Sequence, residues 1–281
     1  MLDAQSSSIG EAVSPLEAEA IAASAYIFGF PLVLLDSVHT AVAKATANAG
    51  FARAAPAQPA PTREEPAVSV LCLDLGPANV VLHVPGGAMQ IRDAWSNVIA
   101  SFGALGPAGG ARLFGLIGPR WRGQLPVSLE RIAAPTDLVC VVVPAGTDAA
   151  APLGAGVSSS ALDGAAERVS RMGAGTFLSR LARLMRRNPP TVDDEPLLAR
   201  LRRIGIAPGE PTRLACLPGE LKPALVSGVA AARAALASRA WAVRSPQNDP
   251  SPGARRTDYL RRALSASFDF FGAASGQAGV S

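Results

Sequence analysis

The sequence predicts an α+β chain, in which a central antiparallel β-sandwich or jelly-roll-like unit is preceded by N-terminal helices and followed by a helical segment. Three observations predict it. Apolar runs of strand length, rich in Val, Leu and Ile and punctuated by Gly and Pro, fill the centre. Apolar residues recur at helical spacing before residue 50. After Thr147 the text becomes amphipathic or Ala-rich. The expected division is 1–50 N-terminal helices, 51–66 a Pro-rich loop, 67–150 a β domain packed with the N-terminal helices, and 151–281 a helical segment.

Residues 1–13 are Ser-rich and expected to fray. "SPLE" then starts a helix. Ser14 can accept from the third helical amide, Pro15 suits the first helical position, and Glu17 can reach back to Ser14. Ile21, Ala25, Phe28 and Leu32 follow on one face, and Gly29 with Pro31 predict a break before a second helix from Leu32 to about Asn48. The apolar run Ile21–Leu35 is shorter than the roughly 20 residues of a spanning helix and is interrupted by Pro31. Acidic residues precede it, with no Lys or Arg before Lys44, so it reads as a buried helix rather than a signal peptide or a membrane span. That reading places the chain in the cytoplasm.

"ARAAPAQPAPTREEP" (Ala52–Pro66) carries too much proline for a helix or a ladder. Strands are expected in "AVSVLCLDL", "NVVLHVP", "AMQIRDAW", "NVIASFG", "ARLFGLIGP" and "TDLVCVVVP". Helices are expected in "SALDGAAERVSRM", "GTFLSRLARLMRR", "DDEPLLARLRRIG", the long Ala-rich stretch after "PGELKP", and "TDYLRRALSASFDFFGA".

Composition bounds the function. The chain has 281 residues, enough for a sizeable core, and a formal net charge of +4, which by itself supports no partner. Lys44 and Lys222 are its only lysines. Cys72, Cys140 and Cys216 lack metal-ligand spacing. Cys72 and Cys140 lie in apolar strands and read as small buried hydrophobes, with a disulfide or a nucleophile as the alternatives. His39 and His83 are too few for a histidine metal cluster. "GALGPAGGARLFG" lacks the ending of a phosphate loop and precedes a strand, and "GAGVSSSALDG" is not a nucleophile elbow. No cofactor and no metal are therefore expected. Arg180, Arg183 and Arg187 share one helix face that would suit nucleic acid or an acidic membrane, but a solvated face beside an apolar stripe explains it, and no aromatic interleaving supports base stacking.

The polar run "GGAMQIRDAWSNVIASFG" (Gly86–Gly103) holds the candidate site. Gln90, Asp93, Trp95 and Asn97, with Trp121 further on, are the candidate binding residues. Read structurally, the two tryptophans pack or rim the β unit and the polar groups satisfy backbone at a strand end. Asp74 and Asp93 are the alternative catalytic pair, since two carboxylates across a cleft can hydrolyse a glycosidic bond.

Several of these stretches share a pattern. "AYIFGFPLVLL" (Ala25–Leu35), "LDLGPANVVLHVP" (Leu73–Pro85), "MQIRDAWSNVIASFG" (Met89–Gly103), "LIGPRWRGQLP" (Leu116–Pro126) and "TDYLRRA" (Thr257–Ala263) together resemble the domain-of-unknown-function 1254 family of bacterial proteins. The resemblance implies jelly-roll-like β domains and a polar cleft with a sugar-related or hydrolytic role, no activity being established. Relatives are often exported, so it also admits a periplasmic location. Where the family carries Asn, Asp, Thr and Tyr before its Leu-Asp-Leu strand, this chain has Arg63, Glu65, Pro66 and Val68. Relatives usually continue into a second β domain, whereas this sequence stops soon after "TDYLRRA". The expected function is therefore non-catalytic binding of a small molecule or a protein partner, with a glycan-directed hydrolase as the alternative. A homo-oligomer is compatible with either.

Overall fold

The computed structural model describes residues 13–48, 68–77, 79–84, 89–103, 112–144, 159–242 and 258–267. The expectations of a frayed N terminus and of a Pro-rich loop at 51–66 lie outside the described residues. Helix α1 (Pro15–Asn48) is followed by strands β1 (Val68–Asp74), β2 (Val80–Val84), β3 (Met89–Asp93), β4 (Val98–Phe102), β5 (Arg112–Ile117), β6 (Glu130–Ala133) and β7 (Leu138–Pro144). Helices α2 (Ser159–Ser170), α3 (Ala174–Leu184), α4 (Glu195–Arg203), α5 (Leu221–Ala242) and α6 (Tyr259–Ser267) complete it. The fold is α+β.

The start of α1 follows the capping logic: the Glu17 amide donates to Ser14 Oγ at 3.2 Å. The Glu17 carboxylate does not reach back; it pairs with Arg203 instead. The expected break at Gly29 and Pro31 does not occur, and α1 runs through Pro31 as one helix of 34 residues. A proline inside a helix costs about 3 kcal/mol, but Phe28, Phe30, Leu32, Val33, Leu34 and Leu35 around it are all buried. Each such side chain contributes roughly 1.5–3 kcal/mol, so tertiary burial outweighs the local penalty. The argument that the apolar run is too short to span a membrane fails with the break. Pro15–Ala41 is long and apolar enough to cross one, with a mean hydropathy of 1.8, although 72% of that window is buried inside the protein. Here it is the central helix of the helical layer, packed chiefly on α5 and then on α2, α6 and α3.

The strands form two sheets, β1-β7-β3-β4 and β2-β5-β6. All pairs are antiparallel except β5–β6, which is parallel, a departure from the uniformly antiparallel expectation. Strand β6 was not expected at all: "ERIA" has neither apolar alternation nor burial, and it is an edge strand in which only Ile132 is partly covered.

Three layers result. Leu73, Met89, Ile91, Val139 and Val141 of the larger sheet face Val80, Leu82, Phe114 and Leu116 of the smaller one. Val70, Cys72, Leu138, Cys140 and Val142, alternating with them, face the helices. A strand covered on both faces reads as a continuous apolar run, which explains "LVCVVVP" in β7. Gly115 lies beneath Leu125, whose Cδ1 would stand 2.5 Å from a Cβ there, so the loop after β5 folds back over the outer face of the small sheet.

Candidate functional site

Two polar clusters meet at one end of the larger sheet, where β1 and β3 finish and β7 begins. Residues 134–138 before and at the start of β7 connect them.

The first is the turn after β3. Asp93 is 3% exposed. Its Oδ1 accepts from the Trp95 and Asn97 amides, each at 2.9 Å, and its Oδ2 accepts from Asn97 Nδ2 at 2.9 Å. The Ala94 amide donates to Thr136 Oγ1 at 3.0 Å, and that hydroxyl donates to the Leu138 carbonyl at 2.7 Å. Ser96 sits at φ 63°, a left-handed conformation that a serine rarely adopts and that the surrounding bonds hold in place. Burial pushes the Asp93 carboxyl above the ordinary carboxylate range, opposed by the bonds from Asn97 and Trp95 and by the Arg262 charge.

Trp95 is fully buried and stacks on Phe28 of α1, with centroids 4.5 Å apart, and its indole N–H donates to the Pro189 carbonyl at 3.2 Å. On Phe28 the Arg262 guanidinium lies 5.7 Å from the ring centroid, and it lies 4.8 Å from that of Tyr259. Arg262 Nη2 donates to Asp194 Oδ1 at 3.3 Å, while its Nη1 is buried without a hydrogen-bond partner. Asp194 also accepts from the Thr191 amide and hydroxyl at 2.9 and 3.0 Å. Burial, followed by the Asp194 charge, pushes the Tyr259 phenol up to about 12.

The second cluster is ionic. Asp137 is wholly buried, and its Oδ2 accepts from Arg187 Nε at 3.0 Å and from Arg120 Nη2. Its Oδ1 has no hydrogen-bond partner. Arg187 Nη2 donates to Asp74 Oδ1 at 2.6 Å, and the Gly76 amide donates to the same oxygen at 2.9 Å. The Asp74 bond, against some desolvation and with further help from Asp137, raises the Arg187 guanidinium above its ordinary value. Both guanidinium groups crowd Gly76: a Cβ there would lie 2.3 Å from Arg187 Nη2 and 3.0 Å from Arg120 Nη2. Asn188 completes the junction, accepting from the Leu138 amide at 2.9 Å and donating to the Leu184 carbonyl at 3.2 Å.

The sequence candidates are thus distributed between the clusters. Asp93, Trp95 and Asn97 share one turn. Gln90 lies on β3, its Oε1 accepting from Arg92 Nε and Nη2 at 3.2 and 2.8 Å. Trp121 is half-buried in the loop after β5, next to Arg120 of the ionic cluster. Asp74 and Asp93 are opposed to Leu138 and Val139, successive residues of β7, from the two strands that flank it. His83 is opposed to Leu113 in the β2–β5 ladder. Of the basic helix face, Arg180 pairs with Asp36 and Arg187 with two aspartates, while Arg183 is exposed. Among the described residues no group of three or more His, Cys, Asp and Glu is placed to hold a metal ion.

Sequence reasoning missed Asp137, Arg120, Asp194 and Arg262. A signal existed for one pair: Tyr259 and Arg262 in "TDYLRRA" stand three apart, on one helix face.

The chain is similar in fold to the VPA0106 protein from Vibrio parahaemolyticus, with a TM-score of 0.54 and 16% identity over 94% of this chain and 68% of that one. At that identity the likeness concerns the fold alone. No curated protein matches. The model of the family described as "Protein of unknown function (DUF1254)" matches residues 63–154. That stretch carries all seven described strands and the Asp93 turn, so the similarity to the DUF1254 family rests on the β unit.

Proposed function

We propose that this protein binds a polar ligand without transforming it, at the sheet end where Trp121 stands beside the Arg120–Asp137–Arg187–Asp74 cluster. The observation that carries this reading is the pairing of two partly exposed guanidinium groups on one wholly buried carboxylate. Asp137 orients both arginines, and their outward N–H groups stay available to an oxyanion or to hydroxyls. Trp121 supplies an aromatic flank and Asn97 lies in the neighbouring turn, while Gln90 lies further along β3, opposite Val142. Asp93 and Trp95 are buried and would act by holding that turn.

A glycan-directed hydrolase is the second reading, favoured by one observation: burial raises the Asp93 carboxyl, as a general acid requires. Against it, both carboxylates are already engaged. Asp74 holds Arg187 and the Gly76 amide, and Asp93 accepts three bonds within its own turn.

Calorimetric titration with inorganic phosphate and with a neutral oligosaccharide panel tests the proposal. Binding that Trp121→Ala weakens about tenfold with melting unchanged, and that Arg120→Gln weakens at least as much with a lowered melting midpoint because Asp137 loses a cation, is the expected result. Glycoside hydrolysis by the wild type that Asp93→Asn abolishes would establish the enzyme instead.

A further inference from the structure

The sequence offers two buried cysteines in separate strands, and the topology makes them neighbours. Cys72 of β1 stands directly opposite Cys140 of β7 in an unbroken antiparallel register from Val68↔Pro144 to Asp74↔Leu138. Residues directly opposed across an antiparallel pair point to the same face, with Cα atoms about 4.5–5.5 Å apart. Both cysteines belong to the helix-facing core, which confirms the shared face. A disulfide needs Cα atoms about 4.4–6.8 Å apart and converging Cβ vectors. The register supplies the Cα spacing and a shared face, from which side-chain adjustment during folding would bring the sulfurs together, and no disulfide is formed.

We infer that Cys72 and Cys140 form a cross-strand disulfide when the chain folds in the presence of a small-molecule disulfide. One protein thiolate attacks the reagent, forming a mixed disulfide and expelling one reagent thiolate. The second protein thiolate then attacks the mixed disulfide and expels the other. Two protein thiols are oxidised and one reagent disulfide is reduced to two thiols, which take up the two protons that the protein thiols lose. The bond would staple β1, an edge strand of the large sheet, to β7, one of its two inner strands.

The timing follows from burial. Cys72 is 9% exposed and Cys140 4%, and burial pushes the Cys72 thiol up to about 12. In the folded protein burial keeps the reagent from both sulfurs and keeps the Cys72 thiol protonated, so the bond forms during folding and not afterwards. Cys216, which is exposed, competes for the reagent.

The test uses the full chain carrying Cys216→Ser, unfolded in denaturant and refolded with either reduced or oxidised glutathione. The expected oxidised product has lost two hydrogens, yields a Cys72–Cys140 linked peptide, regains the native circular dichroism spectrum and melts about 5 °C or more above the reduced form. Cys72→Ser in the same background abolishes the shift. Folded reduced protein exposed to the same reagent reacts at least tenfold more slowly than the refolding chain. The inference is overturned if both thiols stay titratable after oxidative refolding. It is equally overturned if the linked protein does not regain the native spectrum or melts no higher than the reduced form.

Discussion

Replacing Asp93 with alanine removes three acceptor interactions at a turn with a strained residue. The donors fare differently. Asn97 is half-buried, so its amide and side chain recover water; Trp95 is fully buried and its amide does not. A buried donor left unpaired costs about 1–3 kcal/mol. With Ser96 at φ 63° no longer held by the Asp93 bonds on either side of it, the upper half of that range applies. At roughly 2–4 °C per kcal/mol for a chain of this size, the melting midpoint should fall by about 4–12 °C. Asp93→Asn keeps one oxygen acceptor and should lose about half as much. The pH dependence adds a second reading. Burial raises the Asp93 carboxyl in the folded state, so the folded chain holds that proton more tightly than the unfolded one. The resulting stabilisation is complete below the unfolded value and is lost as pH rises through the raised folded value. The stability advantage of wild type over Asp93→Asn should therefore shrink as pH climbs from below to above the carboxylate range. Thermal melts followed by near-ultraviolet circular dichroism from pH 3 to pH 8 measure both effects. An alanine variant that melts within about 1 °C of wild type at neutral pH would refute the reasoning, and so would an advantage that widens with pH.

Gly228 of α5 packs against the backbone of α1, where a Cβ would stand 2.2 Å from the Glu19 carbonyl oxygen. Gly228→Ala should cost about 1–3 kcal/mol by denaturant unfolding, whereas Gly175→Ala, in open space in the first turn of α3, should be neutral or stabilise by up to about 1 kcal/mol. In the folded reduced protein a thiol reagent should label Cys216 alone, with Cys72 and Cys140 reacting only after unfolding, as mass spectrometry of the labelled protein would report. Trp95→Phe keeps the stack on Phe28 but loses the bond to Pro189, and should cost about 0.5–1.5 kcal/mol in the same unfolding assay.

The strands were legible because both faces of the large sheet are covered. Continuous apolar runs in β1 and β7 announce that burial directly, and Gly and Pro mark their ends. Strand β6 was not legible: Glu130 and Arg131 at an exposed edge carry no periodicity, and only pairing with β5 makes them a strand. Proline misled at position 31 because a local penalty was weighed without the burial of the residues around it. At the site, the Asp93 turn could be read because an Asp two residues before a tryptophan and four before an Asn bonds locally. The ionic cluster could not. Asp137 meets Arg120 and Arg187 from 17 and 50 residues away, and nothing in sequence spacing encodes such a meeting.

The arrangement explains why the tryptophan turn belongs to the junction between layers as much as to the β unit. Trp95 leaves the sheet end to stack on Phe28, and Phe28 lies beneath Arg262. Arg262 is in turn bonded to Asp194, which caps the turn leading into α4. The turn after β3, the middle of α1, the α3–α4 connection and α6 thus share one buried stack of rings and charges. An arginine in such a place is costly to desolvate, and removing its carboxylate partner alone costs about 3–5 kcal/mol because a buried charge remains. What this charge adds beyond apolar packing is direction: a guanidinium with two ring faces beside it and one carboxylate at its edge fits in one orientation. The "DAWSN" and "TDYLRRA" stretches, far apart in sequence, are therefore two sides of one contact. The ion pairs of Arg120 and Arg187 with Asp137 lie at the same end of the large sheet.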